Sequence, residues 1–397
     1  MTRIVLSLVL LIVPLCMCAQ KKELAQAKDM IKKGATLDKA EQLMYNLLKD
    51  STHRDNEKIW LTLFEAQKKT YDQGNEKLYL KQAYDTAALF FAAKRMFQTM
   101  EGLDSVDMKP DKHGKMKLVH RKKHANMLHL YRRNIFNGGT FFINKGKYKE
   151  AYEFFDLYVD CGRQPLFSEY RYNETDDRIP EAAYWAVYCG YKMADTKATL
   201  HHTYMALKDT AHYKYMLQYL AETYKREKDN TRYMDVLEEG FKKYPLFPFF
   251  FPRLLEYYSG QREWKKALDL CDRALAQDST SLVFRFSKTS VLLNMHQYDA
   301  CIGLCDELIA SCDSLYGAYL NAGLAYYNQG VELDKALNQS ADQRKQVRAY
   351  YRKALPYLTT YRKSNPDAIK LWGLPLYTIY LNLNMGKEFD EMEKLLK

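Results

Sequence analysis

Apolar residues recur along this chain at spacings of three and four, and between Leu217 and Ser279 the same run occurs twice. The first copy places Leu217, Leu220, Ala221 and Tyr224 on one helical face, then Tyr233, Leu237 and Gly240 on a second, and closes at Pro245. The second places Phe251, Leu254, Leu255 and Tyr258, then Ala267, Cys271 and Ala274, and closes at Ser279. Equivalent positions are 34 residues apart. Such spacings put side chains on one face of a helix, and a break followed by a second run predicts a helix hairpin. Small residues at Ala221 and Ala267 let the paired helices approach, while Tyr and Phe fill the gaps.

The same register predicts hairpins elsewhere. Leu24, Ala27 and Ile31 pair with Ala40, Met44 and Leu47. Trp60, Leu63 and Phe64 follow, with extra residues at 72–77 before a second helix carrying Ala83, Ala87, Phe90 and Phe91. A third hairpin has Ile135, Gly138, Gly139 and Phe142, then Ala151, Phe155 and Tyr158 after a turn at Gly146. Gly138 and Gly139 each cost a helix about 1 kcal/mol relative to Ala, so a neighbour is expected against that backbone. A fourth has Ala186, Cys189, Gly190 and Met193 with a shortened partner helix carrying Leu200, Tyr204 and Leu207. After the two template copies, a seventh starts near Leu282 and shows a register slip, with Tyr298, Ala300 and Leu304 as its second core face. In the eighth, Tyr319, Ala322, Gly323 and Tyr326 stand too far from Ala354, Leu358 and Tyr361, so an insertion is expected near 328–347, as extended helix plus an exposed loop. Trp372, Leu376, Ile379, Phe389 and Met392 form a last hairpin, with Glu388, Asp390, Glu391, Glu393 and Lys394 as the polar outer face of a cap.

Composition supports this all-helical reading: glycine and proline are scarce, no run alternates with strand period, and the 33 tyrosines supply large packing groups with one wet end. The N-terminus reads as an address. Arg3, the apolar run 4–13, Pro14 and the small residues Cys18 and Ala19 have the order of a secretory signal peptide cleaved near Ala19. Cys18 leaves lipidation as an alternative anchor. Six cysteines then remain, and free Cys behaves as a small buried apolar residue, although an oxidising compartment would permit a bridge such as Cys305–Cys312.

The net charge of +11 makes contact with anionic surfaces plausible. It concentrates at 104–128, read as an exposed basic linker in which Lys115, Lys117, Arg121, Lys122 and Lys123 would meet an acidic protein or a membrane surface. A secreted chain makes nucleic acid an unlikely partner. His120 and His124 are one turn apart but lack a third ligand at a helpful spacing, so no metal or other cofactor is expected. The chain has no Gly-x-Ser-x-Gly, His-Glu-x-x-His or glycine-rich phosphate loop, and no catalytic residues are assigned.

The 34-residue hairpin pattern resembles the tetratricopeptide repeat (TPR) family. The signal ending in Ala19-Gln20 and the phrase Tyr-Tyr-Arg-Lys-Ala-Leu-Pro-Tyr-Leu at 350–358 are similar to envelope TPR proteins of Gram-negative bacteria. The resemblance implies an all-α fold, an α-α superhelix (TPR solenoid) of about eight helix hairpins plus a C-terminal cap. Its parts would be a signal at 1–19, N-terminal hairpins at 20–103, the basic linker at 104–128 and the main solenoid at 129–397. It also implies a concave groove lined by first helices, which holds a segment of another protein. Carried over place by place, the groove positions are Arg133, Phe136, Thr140 and Asn144; Tyr184, Val187 and Tyr191; and Tyr215, Gln218, Glu222, Lys225 and Arg226. Aromatics, Gln and Glu among them argue against a clamp for a terminal carboxylate and for an apolar or helical segment. The expected role is a non-catalytic interaction scaffold, periplasmic or secreted, with a lipidated subunit of an outer-membrane or secretion assembly as the alternative. Asp85-Thr86, Asp104-Ser105, Asp209-Thr210, Asp278-Ser279 and Asp313-Ser314 resemble a bacterial O-glycosylation signal, although helix capping is the favoured reading of such pairs.

Overall fold

The computed structural model describes residues 20–110, 113–116, 118–335 and 340–397; the expected signal segment with Cys18, and also Lys117, lie outside the described residues. Among the described residues there is no strand. The chain divides into two compact units, Met1–Lys228 and Asp229–Lys397, so the division falls in the turn of the first template hairpin.

In the first unit, α1 (residues 20–33) pairs with α2 (Leu37–Lys49), and Ala27, Ile31, Ala40, Met44 and Leu47 make their joint core. Next come α3 (Glu57–Tyr79) and α4 (Thr86–Asp107). The extra residues at 72–77 do not form a connection; they lengthen α3, where Tyr71 and Gly74 are buried and Gly74 lies against the ring of Tyr84. The chain then forms α5 (Arg121–Asn144), α6 (Tyr148–Asp160), a 3-10 segment (Pro165–Tyr170), α7 (Tyr172–Thr175) and α8 (Ile179–Lys192). Of the segment expected as a linker, residues to Asp107 finish α4 and residues from Arg121 begin α5. The shortened partner of α8 is two pieces, α9 (Thr196–His201) and α10 (Thr203–Ala206), broken at the buried His202. The unit ends with α11 (Tyr213–Arg226).

The second unit holds α12 (Asn230–Lys243), α13 (Phe250–Gly260), α14 (Trp264–Gln277), α15 (Leu282–Asn294) and α16 (Tyr298–Ser311). It continues with α17 (Tyr316–Asp334), α18 (Ala341–Ser364), α19 (Ile369–Asn382) and α20 (Gly386–Leu396). No register slip occurs at α15–α16. The template positions are filled by Cys301, Cys305 and Leu308, all fully buried, whereas Ala300 is exposed and Leu304 only half-buried. The described part of the 328–347 insertion is helical on both sides. It extends α17 to Asp334 and starts α18 at Ala341 under a Ser340/Gln343 capping box, with Gly330 packed on Tyr351. All six cysteines described are free, five of them buried, so Cys305–Cys312 is not a bridge.

Four of the hairpin turns share a left-handed backbone residue that is not glycine, whereas Gly34 and Gly146 fill that role in two others. Ala194, Lys228, Arg262 and His296, spaced by 34, all have φ between 55° and 60°. L-residues pay about 1–2 kcal/mol to enter that left-handed region. The turn recovers stability by closing helix C-termini: Asp195 N donates to Gly190 O at 3.0 Å, Glu263 N to Tyr258 O at 2.8 Å and Gln297 N to Leu292 O at 3.0 Å. Of the Asp-Ser/Thr pairs, Asp85 caps α4 and Asp278 accepts from Thr280, which places Thr86 at a helix start. Ser105, Thr210, Ser279 and Ser314 are exposed.

Backbones touch where α8 meets α9. A Cβ on Gly190 would lie 2.4 Å from Thr199 N, an atom that cannot swing aside. Gly190→Ala is therefore expected to cost about 3 kcal/mol or more, read as a lower urea midpoint at unchanged slope. Gly303→Ala in α16, where a Cβ meets nothing within 4 Å, should instead stabilise by about 1 kcal/mol. Equal effects at the two sites would refute the close approach.

Candidate partner-binding face

The first helices of the third to fifth hairpins, α5, α8 and α11, lie in the first unit, and they differ in how much side chain they leave uncovered. On α5, Arg133, Thr140 and Asn144 are exposed at spacings of seven and four, one uncovered stripe. Phe136, on the same side, is half-buried and meets the rings of Phe155 and Tyr158 edge-on at 5.4 Å and 5.5 Å. It packs more than it projects. On α11, Tyr215, Lys225 and Arg226 are exposed, and Gln218 and Glu222 are half-buried.

Helix α8 departs from expectation. Val187 is fully buried and Tyr184 only 4% exposed, so neither lines an open groove. The reason is composition. Ile179, Ala182, Ala183, Ala186 and Cys189 are buried as well, and a helix apolar nearly all round is covered on several sides. Of the three positions expected there, Tyr191 alone is within reach of solvent; its hydroxyl donates to Glu222 of α11 and its ring stacks on Tyr219 at 4.6 Å. That contact joins α8 and α11. Burial, followed by the Glu222 bond, pushes the Tyr191 phenol up to about 12.

Beside Arg133 the structure builds a cleft of about 380 Å³ that sequence reasoning missed. Its floor is Arg132, 5% exposed, whose guanidinium lies 3.7 Å from the ring centre of Tyr158 and 3.9 Å from that of Tyr172. The same group donates to Asp176 and, at 3.0 Å, to the carbonyl of Tyr158; the Tyr158 hydroxyl donates to Asp176 at 2.7 Å. Although burial raises the Asp176 carboxyl, the bonds from Arg132 and Tyr158 hold it below the usual range. On the rim, His129 stacks on Tyr170 at 4.4 Å and shares a 2.8 Å hydrogen bond with the Tyr172 hydroxyl, and Arg178 sits over Phe136 at 5.7 Å. The loop 161–178 carries no hairpin periodicity, so nothing in the spacing pointed to it.

The basic segment is only partly available. Lys115, Lys122 and Lys123 are exposed, but Arg121 donates from Nε and Nη2 to the two oxygens of the buried Asp104, at 2.8 Å each, which removes it as a surface contact. Met116, Leu118 and Val119 are exposed among these lysines. His124 is buried against Phe64 and stacked on His120 at 5.3 Å; burial, then the charge of His120, lowers it to about 4. A different trio does bring metal-capable atoms together: Asp156, His201 and His202, within 4.8 Å of one another.

No protein family model matches the chain, and no curated protein does. Among solved structures it is similar to the TPR domain of P58(IPK), at 11% identity over 95% of this chain and 98% of that one, with a TM-score of 0.26. It is also similar to the human IFIT1 dimer with PPP-AAAA, at 12% identity over 82% and 92%, with a TM-score of 0.25. At these scores neither likeness carries a function to this protein. The stacked helix hairpins and their 34-residue period are the chain's own.

Proposed function

We propose that the protein is a non-catalytic scaffold that holds a segment of another protein along the uncovered side of α5 and α11. The observation that carries this is the exposed stripe of Arg133, Thr140 and Asn144 on α5, matched by Tyr215, Lys225 and Arg226 on α11. Basic and aromatic groups on rigid helices suit an acidic segment with a few apolar anchors. The signal-like N-terminus favours the bacterial envelope as the place of action.

Arg133→Ala combined with Tyr215→Ala tests the face. With the full chain as bait in an envelope extract, partner recovery should fall at least about thirtyfold, as expected for two anchors worth about 1 kcal/mol or more each. The helical melting curve should stay in place. Unchanged recovery would sink the assignment.

A membrane-associated role has its own support, the exposed Met116, Leu118 and Val119 among Lys115, Lys122 and Lys123. The mass of the mature N-terminus separates the readings: Gln20 favours a soluble scaffold, and a diacylated Cys18 an anchored subunit.

A further inference from the structure

The fourth hairpin breaks its second helix for a reason visible at the break. His202, with φ −107° and ψ 14°, separates α9 from α10 and turns its fully buried ring toward α6, where Nε2 lies 2.7 Å from Asp156 Oδ1. The preceding residue follows it. In an unbroken helix neighbouring side chains diverge by about 100°, yet His201 and His202 have their rings stacked at 4.2 Å, and His201 Nδ1 is 3.3 Å from the same Asp156 oxygen. Tyr152, one turn before Asp156 on α6, places its hydroxyl 3.3 Å from His201 Nδ1.

We propose that Asp156, His201 and His202 bind one divalent first-row transition metal ion, with zinc as the representative case. Two imidazole nitrogens and one carboxylate oxygen are the donor types such ions take, whereas calcium and magnesium call for oxygen throughout. Zinc–ligand bonds of about 2.0–2.1 Å place tetrahedral donors about 3.3 Å apart. The His201–Asp156 separation of 3.3 Å already has that value. The His202–Asp156 hydrogen bond at 2.7 Å must open by about half an ångström when the metal replaces its proton. His201, with its side chain 47% exposed, is free to turn in and close the third edge. His202 Nδ1 is buried and has no hydrogen-bond partner, so Nε2 is the nitrogen this ring presents to the site. Asp156 is 36% exposed, which leaves the fourth coordination position open to water or to a ligand atom from a partner. Tyr152 is the positioning residue through its hydrogen bond to the Asp156 carboxylate, and its contact with His201 Nδ1 gives way when that nitrogen takes the metal. A metal here ties α6 of the third hairpin to the break in the fourth.

The test uses the untagged full chain, stripped with a chelator and titrated calorimetrically with zinc, and with cobalt(II) for its visible spectrum. One equivalent should bind, raise the melting temperature and give the intense absorption of four-coordinate cobalt; magnesium should do neither. His201→Ala is the decisive variant, because its ring is half exposed and its removal leaves the His202–Asp156 bond in place. It should keep the metal-free melting curve and weaken zinc at least about a hundredfold, with Tyr152→Phe costing about tenfold. Asp156→Asn should abolish the cobalt spectrum. Absence of stoichiometric binding overturns the proposal, as does zinc affinity unchanged in His201→Ala, which would put the ion elsewhere.

Discussion

Asp176→Ala is expected to destabilise the first unit by about 3–5 kcal/mol, the cost of stranding a buried charge. Arg132 is 5% exposed and clamped between two tyrosine faces, so its guanidinium cannot swing out to water when its carboxylate goes. No carboxylate would remain to neutralise it, the Tyr158 carbonyl would still accept from it, and its Nε already has no partner. The Tyr158 hydroxyl would lose its acceptor in the same stroke. The measurement is the urea midpoint of the first unit's transition. Pairing Arg132→Met with Asp176→Ala removes the stranded charge, so the double variant should be more stable than Asp176→Ala alone. A double variant as unstable as the sum of the singles would mean that the two groups do not work as a pair.

Glu101→Gln is expected to act in the opposite direction and only above mildly acidic pH. Burial, helped by the nearby Asp160, raises the Glu101 carboxyl from 4.5 to about 8, and its Oε1 has no hydrogen-bond partner. The folded state therefore holds a proton that the unfolded chain has released between pH 4.5 and 8. Stability is lost as pH rises through that window. At pH 7 the penalty is about 3 kcal/mol, from 1.36 kcal/mol per pKa unit over the gap to the unfolded value. Glutamine, shaped like the neutral acid, removes it: the variant should melt higher than the parent at pH 8 and together with it at pH 4. A difference that persists at pH 4 would refute the protonation account. His124 has the opposite slope, since its folded value near 4 lies below 6.5 and stability drains as pH falls between them. The two windows overlap from pH 4.5 to 6.5, where the opposite slopes offset each other, so the first unit is expected to lose stability above that range through Glu101 and below it through His124.

The hairpin plan was legible because helix period and interhelix packing are both local. Ala267, Cys271 and Ala274 predicted buried faces, and all three are fully buried. Where the reading slipped it was in register: taking Ala300 and Leu304 as the seventh core face passed over Cys301 and Cys305, which keep the period. The binding face was harder. A position offset transfers from one repeat to another only if the helix is covered on the same sides, and α8, apolar almost all round, is covered on more of them. That is why Val187 went to the core while Arg133 stayed outside. Neither cleft nor metal trio was legible, because each joins residues of different elements. Arg132 and Asp176 are 44 positions apart, and Asp156 and His202 are 46. The irregular pieces that bring them together, the loop 161–178 and the helix break at His202, have no periodicity to read.

Ala194 stands where Lys228, Arg262 and His296 carry basic side chains, and what all four have in common is a backbone angle. The period is therefore carried at these turns by conformation and not by residue type. Such a chain is free to exchange letters at its turns, and at core positions among Ala, Cys and Leu, without altering the hairpin that results. A regular 34-residue repeat is thereby built with no one residue recurring at its turns.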